Sequence, residues 1–368
     1  MTDRDYMTRA IALARLGMGW TNPNPMVGAV IVKNGRIIGE GYHAKYGGFH
    51  AERNAVAALT ESAEGATIYV TLEPCCHYGK TPPCTDAILE SGISRVVIGS
   101  RDSNPRVAGK GAAVLRAAGL KVEEDFMRAE CDALNPVFFH YITTGTPYVV
   151  MKYAMTADGK IATRTGASKW ITGERAREEV QRMRHRYMGI MVGIGTVLAD
   201  NPMLNVRLEG KKSPVRIICD THLRIPLNNQ ICRTAKEYRT IVACGTGNPK
   251  KQTQMEAMGI EVVHCPDEQG KVDLKQLMQY LGRQRIDSIL LEGGGTLNDS
   301  ALRAGIVGKI MVFIAPKLFG GKESRTPVAG IGVEMPAEAA LLELRDIQRL
   351  GEDLLLEYET AGKIEDQK

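Results

Sequence analysis

The chain has 368 residues, 44% hydrophobic and 24% charged, with 47 Lys and Arg against 42 Asp and Glu for a formal net charge of +5. A single core rarely grows that large, so the length predicts two domains of an ordinary soluble protein. The basic excess is spread along the chain and aromatic residues make up only 5%. That suits a small anionic substrate or a phosphorylated cofactor, and it argues against nucleic acid, which needs clustered cations and stacking aromatics.

The N-terminal segment carries acids early and lacks an apolar core, so it does not read as a secretory signal. No apolar run approaches the roughly 20 residues of a membrane helix, so no membrane partner is expected. Cys75, Cys76 and Cys84 cluster, while Cys131, Cys219, Cys232, Cys244 and Cys265 are scattered. This usage points to a reducing cytoplasm and a metal site, with the scattered thiols acting as small buried hydrophobes.

Residues 5–16 predict an amphipathic helix. VGAVIVK and RIIGEGYH are strand-like runs joined by Asn34-Gly35, a two-residue hairpin signal. A helix follows over about 51–60, then the strand ATIYVTLEP, then a helix from about Cys84 to Ser91 between Pro82-Pro83 and Gly92. RVVIGS is a strand, GAAVLRAAG a helix and LKVEEDF a strand. The alternation predicts a three-layer α/β domain over residues 1–145. TTGTP, residues 143–147, reads as a loop and a boundary. The alternation then restarts: YVVMKYAMT is a strand, GERAREEVQRMRHRYM a helix, and GIMVGIG, PVRIICD, RTIVACG, GIEVVHC and DSILLEGGG are strands. A second α/β domain is expected over residues 146–362, with a polar tail at 363–368.

FHAER places His50 before a helix with Glu52 two residues on, and EPCCHYGKTPPC supplies Cys75 and Cys84. A hydrolytic zinc site takes three protein ligands and leaves a position for water. His50, Cys75 and Cys84 are the expected ligands of one zinc ion per chain. Glu52, not a ligand, is the expected proton shuttle. The order His-x-Glu, then Pro-Cys, then a second Cys is the zinc deaminase signature. In that chemistry zinc lowers the pKa of a water from about 15.7 toward 7. Glu52 takes its proton and passes it on so that ammonia leaves. The rival is a structural zinc closed by Cys76 or His77 as fourth ligand. Generic deaminases have two residues between the cysteines, whereas eight separate Cys75 from Cys84 here. The longer loop adds His77 and Lys80, which suit a substrate phosphate; the plain alternative is a solvated loop.

TNPNPMVGAV, GEGYH, HAE and TLEPCCHYGKTPPC resemble the deaminase domain of the bifunctional riboflavin-biosynthesis proteins. KYAMTADGKIA, SKWIT, GIGTVLADNPMLNVR, DSILLEGGGTLN and IAPKLFGG resemble the reductase domain of the same family, a relative of dihydrofolate reductase. The resemblance runs from about Tyr6 to Glu359. It implies a cytidine-deaminase-like three-layer α/β/α domain followed by a dihydrofolate-reductase-like α/β domain. It also implies deamination of 2,5-diamino-6-(5-phosphoribosylamino)pyrimidin-4-one, then reduction of the ribosyl group to ribityl with NADPH. Asn24 and His43 would form the base pocket, with His77 and Lys80 on its phosphate side. Because related reductases often dimerise or tetramerise, a homo-oligomer is expected.

In the second half, ILLEGGGTLNDS runs from a strand through three glycines into a helix, a plausible pyrophosphate-binding loop although not the Gly-x-Gly-x-x-Gly fingerprint. VGIGT at 192–196 is a second turn of the same kind. By resemblance, Ala154, Trp170, Thr196, Asp200, Thr221 and the loop Gly294, Gly295, Thr296, Leu297, Asn298, Asp299 and Ser300 contact NADPH. Ser168, Arg184, Leu204, Arg207 and Glu292 fall where the family holds its substrate. Arg184 and Arg207 fit bidentate phosphate binding, against a solvated helix face and a loop cation as plain alternatives. Glu292 suits ribosyl hydroxyls. No general acid for the hydride step is legible. The rival functions are a nucleoside or nucleic-acid base deaminase with an appended nucleotide-binding domain, a regulatory zinc module, and a protein in which one half has decayed.

Overall fold

The structure is a computed structural model, which describes residues 1–78, 82–104 and 108–360. The chain divides into two compact units, Met1–Gly145 and Thr146–Lys368.

In the first unit, α1 (Asp3–Arg15) opens with a capping box: Thr2 Oγ1 accepts the Asp5 amide and the Asp5 carboxylate accepts the Thr2 amide. β1 (Gly28–Lys33) and β2 (Arg36–Tyr42) form a hairpin. Its turn residues Asn34 and Gly35 have φ of 51° and 72°, as a two-residue turn matched to strand twist requires. There follow α2 (Ala51–Ala57), β3 (Thr67–Leu72), α3 (Cys84–Glu90), β4 (Arg95–Ser100), α4 (Lys110–Ala117), β5 (Lys121–Glu123), α5 (Arg128–Asp132) and α6 (Pro136–Thr144). Among the described residues the sheet order is β2-β1-β3-β4-β5. β1 is antiparallel to both neighbours, and β3, β4 and β5 run parallel.

Alternate strand residues point to opposite faces. Val30, Val32, Tyr69 and Val97 pack with Tyr6, Met7 and Ala10 of α1. Ile31, Ile68, Val96 and Ile98 pack on the other face with Ala51, Ala55, Ile88 and Leu115 of α2, α3 and α4. The result is helix, sheet, helix. α2 lies so close on β2 that a Cβ at Gly41 would stand 2.3 Å from the Ala55 nitrogen and 2.4 Å from the Ala51 oxygen. The loop reading of residues 143–147 is corrected in part. α6 runs through Thr144, with Pro136 in its first turn, and ends on Gly145 at φ 70°.

The second unit contains β6 (Tyr148–Thr156), α7 (Glu174–Arg186), β7 (Gly189–Gly193), α8 (Ile194–Asp200), β8 (Val215–Cys219), α9 (Gln230–Arg233), β9 (Thr240–Cys244), α10 (Pro249–Ala257), β10 (Ile260–His264), α11 (Leu274–Arg283), β11 (Ser288–Leu291), α12 (Gly295–Arg303), β12 (Val307–Ala315), β13 (Leu342–Leu350) and β14 (Asp353–Thr360). The described sheet has the order β10-β9-β8-β7-β11-β6-β12-β14-β13. From β10 to β12 all neighbours are parallel, and β14 and β13 close one edge antiparallel. The central strands are buried along their length, as β9 and β11 are, which is why they read as unbroken apolar runs. Two strand readings shorten: α8 begins at Ile194, and β11 stops at Leu291 before the glycines. No helix among the described residues is long and apolar enough to cross a membrane. The expected polar tail lies outside the described residues.

Candidate active sites

The first site is built where the start of α2 meets the start of α3. His50 caps α2 in extended conformation, and Cys84 opens α3. His50 Nδ1 lies 3.5 Å from Cys75 Sγ and 3.4 Å from Cys84 Sγ. With Zn–S of about 2.3 Å and Zn–N of about 2.0 Å, a tetrahedral ion gives N···S edges of roughly 3.5 Å. The donor set therefore fits zinc. Among the described residues, His50, Cys75 and Cys84 form the one group of this kind, and neither Cys76 nor His77 belongs to it. Arg53 ties the helix to the cysteine loop by donating to the Pro82 and Pro83 carbonyls at 3.0 and 2.8 Å.

The electrostatics suit a metal. Its hydrogen bond with Cys84 and the nearby His50 ring outweigh burial and hold the Cys75 thiol down at about 4. The hydrogen bond with Cys75 and burial push the Cys84 thiol up. Glu52 is 3% exposed. Burial, then the Cys75 charge, raise its carboxyl above the usual range.

His43 is buried, and its ring stands edge-on to His50 with centroids 5.3 Å apart. Its Nδ1 is 2.9 Å from the Phe49 carbonyl and its Nε2 is 3.2 Å from Asn24 Nδ2. Nδ1 therefore carries the proton and Nε2 accepts from Asn24. Among the described residues His77 Nδ1 is buried with no hydrogen-bond partner. Lys80 lies outside the described residues.

In the second unit, a cavity of about 1250 Å³ follows the carboxyl ends of the sheet strands. Ser168, Thr196, Asp200, Thr221, Gly294, Gly295, Thr296, Leu297 and Ser300 border it. The two glycine turns are joined: the Gly193 amide donates to the Gly293 carbonyl at 3.0 Å, and Thr196 Oγ1 donates to the same oxygen at 3.3 Å. Gly294, at φ 71°, starts α12 without a side-chain cap. The first amides of that helix have no intrahelical acceptor and fit an anionic pyrophosphate. Four of the expected cofactor residues do not border the cavity. The Asn298 side chain donates to the Pro327 carbonyl, Asp299 pairs with Arg303, Ala154 lies on β6, and Trp170 stands exposed under Arg177.

Beside the cavity, Arg184 holds Glu292, with Nε–Oε1 at 2.7 Å and Nη2–Oε2 at 2.9 Å, and donates to the Asn205 carbonyl at 3.1 Å. In this structure the Arg184 fork is turned to the Glu292 carboxylate. Arg207 remains exposed and contributes charge to Glu292. The Leu204 side chain lies in the core with Ile190 and Val192. Sequence reasoning missed Lys152. Leu291 pairs with Met151, so the next residues, Glu292 and Lys152, come side by side. Burial lowers the Lys152 pKa, opposed by the Glu292 charge. A lysine inside the apolar run YVVMKYAMT was the available signal.

Comparison with known proteins agrees in both halves. Residues 1–100 match the model of the cytidine and deoxycytidylate deaminase zinc-binding region, and residues 147–356 match the RibD C-terminal domain. The chain is 59% identical to the riboflavin biosynthesis protein RibD of Actinobacillus pleuropneumoniae, over 97% of this chain and 95% of that protein. The structure of Acinetobacter baumannii RibD superposes with a TM-score of 0.88 at 37% identity, covering 98% of this chain and 99% of that one. The Thermotoga maritima diaminohydroxyphosphoribosylaminopyrimidine deaminase/5-amino-6-(5-phosphoribosylamino)uracil reductase gives 0.85 at 37% identity, over 97% and 98% of the two chains. The chain is thus alike to these proteins over nearly their whole length. The chain belongs to the RibD family of riboflavin biosynthesis, a bifunctional enzyme with a zinc-binding deaminase domain and a reductase domain that uses a nicotinamide cofactor on a pyrimidine derivative.

Proposed function

We propose that the first unit hydrolyses 2,5-diamino-6-(5-phosphoribosylamino)pyrimidin-4-one to the aminouracil, and that the second reduces the ribosyl group with NADPH to give 5-amino-6-(5-phosphoribitylamino)uracil. The observation that carries the reading is Glu52, buried beside the cluster of His50, Cys75 and Cys84. One zinc ion on those three ligands supplies Lewis acidity and lowers the pKa of a water molecule. Glu52 takes the proton of the attacking water and delivers it to the departing amino group. A buried carboxylate beside the ligands is the kind of group that can accept a proton and return it. Asn24 and His43 orient the base edge, and His77 and Lys80 are the proposed partners of the substrate phosphate.

In the second unit NADPH supplies the hydride. The turn at Gly294 to Ser300, with Thr196, would hold its pyrophosphate, and Asp200 and Thr221, which border the cavity, would join Ala154 and Trp170, which do not, around its other parts. Ser168, Arg184, Leu204, Arg207 and Glu292 hold the ribosyl phosphate substrate. In that arrangement Arg184 keeps Glu292 ionised and aimed, and Arg207 meets the phosphate. Copies of the chain associate through β13, where Leu342, Leu344 and Ile347 are exposed on an edge strand. The reading places the enzyme in the cytoplasm, without nucleic-acid or membrane partners.

The test follows ammonia release and then NADPH oxidation in zinc-loaded wild type and in Glu52→Gln. Wild type performs both steps. The variant keeps its zinc and releases no ammonia. A variant that still deaminates removes Glu52 from the shuttle role. A wild type inactive in both steps refutes the substrate.

A further inference from the structure

The cavity of the second unit continues well past the glycine turns. Sheet order gives its layout, because its walls follow successive strand ends. Lys160 to Ser168 follow β6, the Gly294 turn follows β11, Gly193 to Thr196 follow β7, Thr221 and Arg224 follow β8, and Asp267 to Lys275 follow β10. Lys152 and Glu292 stand at β6 and β11. If the pyrophosphate sits at the β11–β7 turns, the reacting ring points toward β6. The adenosine then points the other way, over β8 and beyond. Strands are spaced about 4.8 Å apart, so the β8 end lies roughly 10 Å from β11, one nucleoside away.

At that far end Arg224, Lys271 and Lys275 outnumber Asp267 and Asp273. Arg224 is 56% exposed in its side chain. Among the described residues, its guanidinium makes one long contact, 3.8 Å to Asp220. Asp220 is itself turned inward, accepting the Ile225 amide at 2.8 Å. Lys271 Nζ donates to Gln269 Oε1 at 3.1 Å and, among the described residues, pairs with no carboxylate. The two acids bordering this end are occupied by backbone. Asp267 Oδ1 accepts from the Gln269 and Lys271 amides at 2.9 and 2.8 Å, and Asp273 Oδ1 accepts from the Gln276 amide at 3.1 Å.

The loops that carry the two cations are held together by the backbone. The Gly245 amide donates to the Thr221 carbonyl at 3.1 Å. On its other side, a Cβ at Gly245 would stand 2.0 Å from the Gly270 oxygen and 2.8 Å from the Lys271 carbonyl carbon. The loop carrying Lys271 is therefore pressed, through Gly245, against the loop carrying Thr221 and Arg224. Thr221, midway, offers a hydroxyl to a ribose.

We infer that Arg224 and Lys271 form the seat of the cofactor's 2′-phosphate and make the reductase select the phosphorylated dinucleotide. The inference rests on the cofactor reading above and adds to it the residues that discriminate NADPH from NADH. A phosphate monoester matches the site, since a guanidinium gives it a planar fork and an ammonium gives it a point charge. Of the other cations of the cleft, Lys275 follows β10 at the same end, Arg303 pairs with Asp299, and Lys160, Lys322 and Arg325 follow β6 and β12 on the reacting side.

The test is direct binding, by calorimetry, of NADPH, NADH and 2′,5′-ADP to the full chain as wild type, Arg224→Gln, Lys271→Gln and the double variant. Both side chains are on the surface, and thermal melts establish that the variants fold. Wild type is expected to bind NADPH at least tenfold more tightly than NADH. Arg224→Gln should lose about tenfold for NADPH and 2′,5′-ADP and leave NADH unchanged. The double variant should bind the two dinucleotides alike, with a flatter salt dependence. Equal losses for NADPH and NADH, or no loss, overturn the seat. A raised KM for the pyrimidine substrate with 2′,5′-ADP binding intact also overturns it, since the cations then hold the substrate's phosphate. Wild type that binds neither dinucleotide overturns the cofactor reading itself.

Discussion

Arg184 and Glu292 meet across 108 residues of sequence as a two-point pair, with Nε–Oε1 at 2.7 Å and Nη2–Oε2 at 2.9 Å. Their side chains are only 13% and 12% exposed. The pair joins α7 to the end of β11, at the edge of the reductase cleft.

That pair sets an acid limit on stability. Burial alone would raise the Glu292 pKa, but the charge and hydrogen bonds of Arg184, with Lys152 and Arg207, hold it at about 2 against an ordinary 4.5. A carboxylate depressed in the folded state contributes stability that is complete above about pH 4.5 and is lost as pH falls to about 2. Glu292→Gln should flatten the melting temperature against pH in that window. Arg184→Met should cost about 3–5 kcal/mol by stranding the carboxylate, and the double variant should recover part of the loss. Denaturant midpoints across pH measure both.

Lys152 is a second cation beside Glu292, after Arg184. Lys152→Met should cut NADPH oxidation by on the order of 10² or more, the scale of a positioned proton-transfer group, while ammonia release stays at the wild-type rate. Equal losses in both activities would mean that the substitution damages the fold.

Arg53 grips the Pro82 and Pro83 carbonyls just ahead of Cys84. Removing such outer support typically weakens metal sites by about 10–100-fold. Arg53→Met should show that loss in competition with a zinc chelator, with the melting temperature of the zinc-loaded protein little changed. Reductase activity should not respond.

Gly41 lies under α2 with no room for a side chain. Gly41→Ala should destabilise the deaminase unit by about 1–3 kcal/mol, the usual cost of overpacking. Because the helix carries His50 and Glu52, zinc affinity should fall with stability. A first unit that melts at the wild-type temperature would refute the tight packing.

Much of the deaminase site was legible because its chemistry is local. His50 and Glu52 share the entry of one helix, and Cys75 and Cys84 bracket one loop, so spacing and proline punctuation placed them. The hairpin at Asn34-Gly35 and the apolar runs of β7, β8, β9 and β11 were legible for the same reason, since turn geometry and burial on both faces write themselves into short stretches. β13 was harder to read, because its apolar alternation breaks at the register shift between Leu344 and Asp346. Tertiary structure alone decided that Arg184 serves Glu292, that Lys152 stands beside it, and that Arg224 and Lys271 share one end of a cleft. Those relationships depend on strand order and on which loops are pressed together. Strand order is set by burying apolar faces between segments as distant as Val307 and Val149, a global balance of packing that no local pattern records.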